Sequence, residues 1–114
     1  MTRGRENLSE YKGMWLFTLF DLPVTTSEAR KDYANFRKNL LKQGFTMLQY
    51  SVYARYCSDE DRGKLIKNRL KRELPPKGDV RFLLVTDRQF GKMEVFTGRK
   101  RVSTEKKPRQ LFLF

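Results

Sequence analysis

Apolar residues occur in runs of strand length along the chain. Residues 14–20, MWLFTLF, are apolar apart from one threonine, as expected of a strand covered on both faces. Residues 80–86, VRFLLVT, predict another buried strand. Between them, residues 45–57, FTMLQYSVYARYC, are rich in β-branched and aromatic residues and long enough for two strands with a tight turn near Tyr50 and Ser51. The pattern therefore predicts four strands.

Two amphipathic segments alternate with these strands. A capping box formed by Thr25 and Glu28 predicts the start of the first helix. Ser58 and Asp61 form a second capping box, and the prolines at 75–76 end the helix that follows. The apolar positions recur at helical spacing, at Ala29, Tyr33, Phe36 and Leu40 in the first helix and at Leu65, Ile66, Leu70 and Leu74 in the second.

The order strand, helix, strand, strand, helix, strand is typical of an α+β, ferredoxin-like βαββαβ fold. Right-handed crossovers then place both helices on one face of an antiparallel sheet. Because the strands are apolar on both sides, the other face also has to be covered. The simplest cover is a second copy of the chain. We therefore expect a homodimer in which the two sheets pack face to face.

The C-terminal region carries further signals after the fourth strand. Residues 93–96, MEVF, predict a short fifth strand, and residues 99–109 hold six basic residues and one acidic residue, which indicates a charged, flexible connector. Residues 111–114, LFLF, predict an extra strand at a sheet edge, either of the same chain or, by a swap, of its partner. The predicted divisions are an N-terminal extension at 1–13, a ferredoxin-like domain at 14–97, and a basic connector with the C-terminal strand at 98–114.

Composition narrows the class of partner and the chemistry. The 114 residues include 25 basic and 13 acidic side chains, a formal net charge of +12, which favours nucleic acid as a partner and an anionic membrane as the second choice. The absence of histidine excludes histidine-based triads and histidine-ligated zinc. A single cysteine, Cys57, fits a reducing compartment. The sequence predicts neither a membrane-spanning segment nor a signal peptide, so the expected location is the cytoplasm.

Basic side chains gather on the predicted helices and in the connector. On the first helix, basic residues seven apart share one face, opposite the apolar stripe, and could follow a phosphate backbone. For any one residue a solvated helix face is the simpler interpretation, but the excess of bases favours phosphate binding for the set. The candidate nucleic-acid-binding residues are Arg30, Lys31, Arg37, Lys38 and Lys42 of the first helix and Arg99, Lys100 and Arg101 of the connector.

Asp21 stands where the first apolar strand ends, directly before Leu22 and Pro23. In a two-fold dimer the same loop of both protomers can come together, and two facing carboxylates are unfavourable unless a proton or a divalent cation lies between them. Mg²⁺ or Mn²⁺ suits such an oxygen site and can activate water for attack on a phosphodiester. The alternative is that Asp21 only accepts hydrogen bonds from backbone N–H groups of the turn.

Several motifs together resemble one known family. They are LFDLP at the end of the first strand, SEARKDYANFRKNLLKQGF in the first helix, QYSVY in the middle and TDRQFGKM after the fourth strand. These segments are similar to the Cas two family, the small partner of the CRISPR integrase, over roughly residues 14–114. The resemblance implies a homodimer with C-terminal strands that cross to the partner. It implies dimer-interface roles for Gln49, Ser51 and Val52 and for Leu111, Phe112 and Leu113.

The resemblance also implies functional roles. Asp21 matches the family's metal-binding, catalytic aspartate, and Arg30 matches a basic position near the start of the first helix. The family is described both as Mg²⁺-dependent endonucleases acting on RNA or duplex DNA and as a bridge between integrase dimers in spacer acquisition. Phe20, where many members carry tyrosine, and the Ala54–Arg55 pair, where many carry a glutamate, depart from the family pattern and favour DNA holding over hydrolysis.

The predicted function is a dimeric subunit of the CRISPR spacer-acquisition complex that binds duplex DNA between integrase dimers. A Mg²⁺ (or Mn²⁺) site at Asp21 would also support metal-dependent endonuclease activity, so the enzymatic class stays open. The alternative is a ferredoxin-like module that binds single-stranded RNA without catalysis. No RNP1 string of the kind used by RNA-recognition modules is present, and most aromatic rings are expected in the core and the dimer interface.

Overall fold

The computed structural model describes residues 12–108. The first strand and the two long helices follow the apolar pattern closely, and a third, short helix comes after the fourth strand. The elements, in chain order, are β1 (Met14–Asp21), α1 (Ser27–Lys42), β2 (Thr46–Gln49), β3 (Val52–Cys57), α2 (Glu60–Lys71), β4 (Asp79–Thr86), α3 (Asp87–Gly91), β5 (Val95–Thr97) and β6 (Lys100–Val102).

Four of the strands form one antiparallel sheet with the order β2-β3-β1-β4. The central strand β1 pairs along its length with β4, from Met14 opposite Thr86 to Asp21 opposite Asp79, and with β3 on its other side. This order, with helices after the first and third strands, is that of a ferredoxin-like fold. The predicted α+β fold class is confirmed.

Both long helices cover the same face of the sheet, which we call the helix face. Leu16 and Phe20 of β1 pack there in one apolar cluster with Phe36 of α1 and Ile66 of α2. The predicted apolar stripe of α2 is only half right. Ile66 and Leu70 are buried, whereas Leu65 is 42% and Leu74 44% exposed, so the helix buries a narrower stripe than its leucines suggest.

The opposite face of the sheet, called here the second face, is covered at one end only. Trp15, Ala54 and Phe90 form a small buried cluster there, and the Trp15 ring stacks on Phe90 of α3 with centroids 3.9 Å apart. Toward the other end, the second-face side of β4 is exposed in the single chain, and the cover predicted for this face stays a prediction. Leu83 is 53% exposed and Arg81 is exposed, because no element within residues 12–108 covers this part of the second face.

The two predicted capping boxes are each wrong by one residue. Thr26, not Thr25, caps α1, and its hydroxyl accepts a hydrogen bond from the Ala29 N–H at 3.0 Å. Asp59, not Ser58, caps α2, and its carboxylate accepts one from the Arg62 N–H at 2.8 Å. In both cases two neighbouring residues are able to cap a helix, and the sequence pattern alone does not separate them.

The region after α3 differs from the predicted connector. Residues 95–102 form a β-hairpin in which Val95 pairs with Val102 and Thr97 with Lys100. The Gly98–Arg99 turn has a positive φ of 62° at Gly98, which glycine adopts without strain. The predicted fifth strand at 93–96 is thus shifted toward the C-terminus, and part of the predicted connector is strand β6. The predicted strand at 111–114 lies outside the described residues.

Candidate metal site and nucleic-acid interface

Asp21 is the last residue of β1 and is exposed. Side chains alternate along a strand, so Asp21 shares the second face with Trp15, Phe17 and Leu19. The next residue, Leu22, is buried in the helix-face core and fixes the chain where it leaves the sheet. The apolar run therefore ends in an acid at the open end of the second face.

A second carboxylate lies beside Asp21. Asp79, the first residue of β4, is directly opposite Asp21 in the antiparallel register. Both acids, with Leu19 and Arg81, line an open depression of about 340 Å³ at this end of the sheet. The sequence analysis missed Asp79, because its position depends on the pairing of two strands distant in sequence. A sheet model that aligned the ends of β1 and β4 would have found it.

The donor set at this end suits a hydrated magnesium ion. Within residues 12–108 no group of three or more potential metal-ligating side chains occurs. Mg²⁺ commonly keeps several waters and takes only one or two carboxylates together with substrate phosphate. Asp21 and Asp79 are the two residues that could hold it. No side-chain hydrogen bond found within residues 12–108 involves the Asp21 carboxylate, so the turn-capping alternative gains no support.

Gly78 presses against the backbone of Asp21. Its φ is +94°, and a Cβ added there would lie 2.6 Å from the Asp21 carbonyl oxygen and 2.7 Å from Leu22 Cδ2. A residue with a side chain would have to displace the backbone at the end of β1. Gly78 therefore allows the close approach that sets Asp79 opposite Asp21.

The middle motif forms the turn that was predicted between β2 and β3. Gln49 pairs with Val52, and Tyr50 and Ser51 make the two-residue connection, with φ +64° at Ser51. The Ser51 carbonyl accepts a hydrogen bond from the Phe20 N–H at 3.1 Å, which ties this turn to β1. Val52 lies opposite Leu19 of β1, on the second face. The predicted interface roles of Gln49, Ser51 and Val52 stay predictions.

The basic residues predicted on α1 are all exposed. Arg30 donates from Nη1 to the Val24 carbonyl at 3.1 Å, which holds its guanidinium beside the loop that follows Asp21. The salt bridges found within residues 12–108 join Lys64 to Glu60, Arg101 to Glu94 and Lys107 to Asp87, and none of them involves a base of α1. The structure thus leaves the set Arg30, Lys31, Arg37, Lys38 and Lys42 accessible to an anionic partner.

The basic residues of the predicted connector lie instead on the β5–β6 hairpin. Arg99 is in the turn, and Lys100 and Arg101 are exposed residues of β6. Arg101 makes an exposed ion pair with Glu94 at 3.9 Å, a kind of contact that stabilises little. These three residues are separate from α1 in the chain and form a second basic group.

The covered end of the second face is held by polar contacts around Asp87. Its carboxylate accepts a hydrogen bond from Trp15 Nε1 at 2.8 Å and pairs with Lys107 Nζ at 3.7 Å. Burial, and to a smaller extent the charge of Asp87, raise the pKa of Tyr56 in the same cluster. The chain beyond β6 is thereby fastened across the second face at the end far from Asp21.

One exposed ring stands apart from the buried aromatic residues. Tyr50 is 71% exposed, whereas Tyr53 on the neighbouring strand is 1% exposed. The Tyr50 ring stacks against Tyr33 of α1 with centroids 6.0 Å apart and an interplanar angle of 19°. The neighbouring Tyr33 hydroxyl raises the pKa of Tyr50. The expectation that most rings lie in the core holds, but Tyr50 is an exception.

Comparison with known proteins identifies the family. The family described as "CRISPR associated protein Cas2" matches residues 14–93, which span the whole four-stranded sheet and all three helices. The chain belongs to the Cas2 family. The resemblance stated from the LFDLP and QYSVY motifs is confirmed.

Individual Cas2 proteins are similar over most of their length. A protein named CRISPR-associated endoribonuclease Cas2 from Parvibaculum lavamentivorans is 50% identical over 101 residues, covering 89% of this chain and 100% of the relative. A protein of the same name from Flavobacterium psychrophilum is 41% identical over 107 residues, covering 94% and 93%. A third, from Ligilactobacillus salivarius, is 46% identical over 87 residues, covering 76% and 86%.

Phe20, where many family members carry tyrosine, has a packing role in this Cas2 family member. Phe20 points into the helix-face core. Its ring centroid lies 5.2 Å from that of Phe36, which it meets edge-on, and 5.6 Å from that of Tyr53. It therefore lies on the opposite side of β1 from the Asp21 carboxylate, and the ring acts in packing.

No helix within residues 12–108 is long and apolar enough to cross a membrane.

We expect Gly78→Ala to destabilise the fold by about 3 kcal/mol, since a positive φ and a backbone clash add together. Gly98→Ala is the matched control, because Gly98 also has a positive φ but an added Cβ meets nothing within 4 Å. It should cost only about 1 kcal/mol. Urea unfolding at equal protein concentration measures both. Equal losses would mean that the contact with Asp21 does not constrain the end of β1.

Proposed function

We propose that this Cas2 family member is a dimeric subunit of a CRISPR spacer-acquisition complex and binds duplex DNA between integrase dimers. The integrase and the DNA are the proposed partners, a Mg²⁺ or Mn²⁺ ion at Asp21 is the proposed cofactor, and the cytoplasm is the proposed location. Two kinds of observation support the proposal. One is membership of the Cas2 family, and the other is a pair of surfaces on opposite faces of the sheet, one apolar and one basic.

The observation that carries the proposal is the uncovered part of the second face. Leu83 is half exposed on β4, the edge strand next to the central strand β1, and Leu19 of β1 lies two positions along on the same face. A second copy that packs here by a two-fold axis would cover both residues. Asp21 is at the edge of the same face, so such a dimer would bring two copies of the acidic site toward each other.

Duplex binding is supported by the charge on the helices. The bases of α1 lie on the helix side of the sheet, away from the apolar part of the second face. Dimerisation through the second face would therefore leave both basic surfaces open, and together they would present a longer cationic surface than one protomer has. Phosphate contacts of this kind bind without reading sequence, which suits a subunit that holds varied DNA.

Metal-dependent nuclease activity is a second candidate function. It is favoured by the opposition of Asp21 and Asp79 and by the name endoribonuclease that the relatives carry. A bound Mg²⁺ would supply Lewis-acid stabilisation of a phosphodiester and a more acidic water. Asp21 and Asp79 would hold the ion, and Arg81 in the same depression would neutralise a phosphate oxygen. RNA would then be a substrate as well as duplex DNA.

Asp21→Ala separates the two candidates. For a bridging subunit, the variant should co-purify with the cognate integrase, capture duplex DNA and support spacer integration at the level of the wild type. For a nuclease, it should lose cleavage in Mg²⁺ and keep duplex binding within about twofold, and Asp79→Asn should also reduce cleavage. Integration that collapses with Asp21→Ala while the complex still assembles would show that chemistry at Asp21 is required, against the bridging proposal.

The contribution of α1 to duplex binding is measured by its salt dependence. The double variant Arg37→Gln, Lys38→Gln should reduce the slope of log affinity against log salt by about two units, because each lost phosphate contact removes about one. Lys64→Gln on α2 is the control, since Lys64 is already paired with Glu60 at 3.5 Å. Fluorescence anisotropy with a labelled duplex gives the slopes. An unchanged slope in the double variant would place the DNA elsewhere.

Leu83→Glu tests the dimer. A carboxylate buried between two sheets without a partner is strongly unfavourable, so we expect dimer affinity to fall about a hundredfold or more while the protomer keeps its fold. Leu65→Glu is the control, because Leu65 is 42% exposed on α2, on the helix side of the sheet. Sedimentation equilibrium measures both. A wild type that is monomeric at micromolar concentration, or a Leu83→Glu variant that still dimerises, would contradict the proposed interface.

A further inference from the structure

Tyr50 occupies a position where the fold has no need of a large ring. It is the first residue of the two-residue β2–β3 turn, where φ is not positive and the backbone accepts ordinary side chains. Its partner in the turn, Ser51, already adopts a positive φ of 64°. With 71% of its surface exposed, the Tyr50 side chain contributes little to burial. Neither the turn geometry nor burial requires a large aromatic ring at this position, so its exposed face is available to a ligand.

The Tyr50 ring is supported on one side by the ring of Tyr33. Tyr33 of α1 stacks on it at 6.0 Å, and the Tyr33 ring in turn meets Phe20 of the helix-face core at 5.8 Å. The three rings thus form a series that runs from the buried core to the surface. A flat apolar ring supported in this way is ordered before a ligand arrives, so little conformational entropy remains to be lost on binding.

Two arginines flank the supporting residue. Arg30 and Arg37 lie three residues before and four residues after Tyr33, and on a helix these spacings place side chains next to one another. Both arginines are exposed, and the Arg30 guanidinium is steadied by its hydrogen bond to the Val24 carbonyl at 3.1 Å. The two positions are about 10 Å apart along the helix axis. An exposed ring that rests on a helix carrying two exposed arginines matches a nucleotide, which offers a flat base and neighbouring phosphates.

We propose that Tyr50, supported by Tyr33 and flanked by Arg30 and Arg37, is a stacking site for one unpaired nucleobase of a DNA strand. The inference rests on the proposed nucleic-acid function and deepens it: the basic surface would hold the duplex, and Tyr50 would take a base at which pairing has ended. Bases inside a duplex are stacked on their neighbours and cannot cover the ring. The site therefore distinguishes DNA with unpaired nucleotides from a blunt duplex.

The test uses the full chain and a short duplex with a single-stranded tail that carries 2-aminopurine at one unpaired position at a time. Stacking on a tyrosine quenches this base, so wild type should quench it at one tail position. Tyr50→Phe, the matched control, keeps the ring and should keep the quenching. Tyr50→Ala should lose it and bind tailed DNA about tenfold more weakly, with blunt-duplex affinity unchanged.

Two comparisons separate this site from the proposed duplex binding. Arg37→Gln should weaken tailed and blunt DNA alike, because it removes a phosphate contact. Wild type that binds blunt duplex but quenches no tail position would overturn the stacking site and leave the proposed function standing. Wild type that quenches a single-stranded probe but binds no duplex would overturn the proposed duplex binding and leave the stacking site standing. Equal loss of blunt and tailed affinity in Tyr50→Ala would also overturn the stacking site. Circular dichroism checks that this variant is folded.

Discussion

The central strand β1 imposes the main constraint on this molecule. It is apolar on both faces and paired on both edges, yet α1 and α2 cover only the helix face. The second face is closed at the Trp15 end by Phe90 and by the polar contacts of Asp87, and residues 12–108 leave it open toward Asp21. Everything proposed for function depends on how this remaining apolar surface is covered. A second copy of the chain is the cover that we propose for it.

Charge and apolar surface are arranged so that they do not oppose each other. A chain with a net charge of +12 repels its own copies. The bases of α1 lie on the helix side, so the proposed sheet-to-sheet contact would keep them about two layers apart, where salt would screen them. The acids Asp21 and Asp79 would lie at the rim of the proposed dimer contact, in the same depression as Arg81. The repulsion that remains close to the interface is therefore between carboxylates, and a cation or a proton can relieve it.

The sequence predicted most of the fold because its signals are local. The apolar run of β1, the helical spacing around Phe36 and the turn at Tyr50 and Ser51 each depend on a few neighbouring residues. Strand β5 was predicted with its bounds shifted toward the N-terminus, and β6 was missed since it is short and mostly basic. Asp79 was missed because the register of β4 against β1 is a tertiary property. The exposure of Leu83 agrees with the prediction that both helices cover the same face of the sheet.

Metal binding and dimerisation cannot be independent if both occur at this end of the sheet. Within one protomer the opposed Asp21 and Asp79 are exposed, and water screens their repulsion. Covering the neighbouring apolar surface with a second copy removes part of that water and adds two more carboxylates, so the acids then gain more from a divalent ion. By linkage, an ion that binds the dimer more tightly than the protomer must strengthen the dimer by the same factor. Asp21→Ala would remove the contribution of the ion and the repulsion between carboxylates together, so a dimer held by its apolar surface would still assemble, as the proposed bridging role requires.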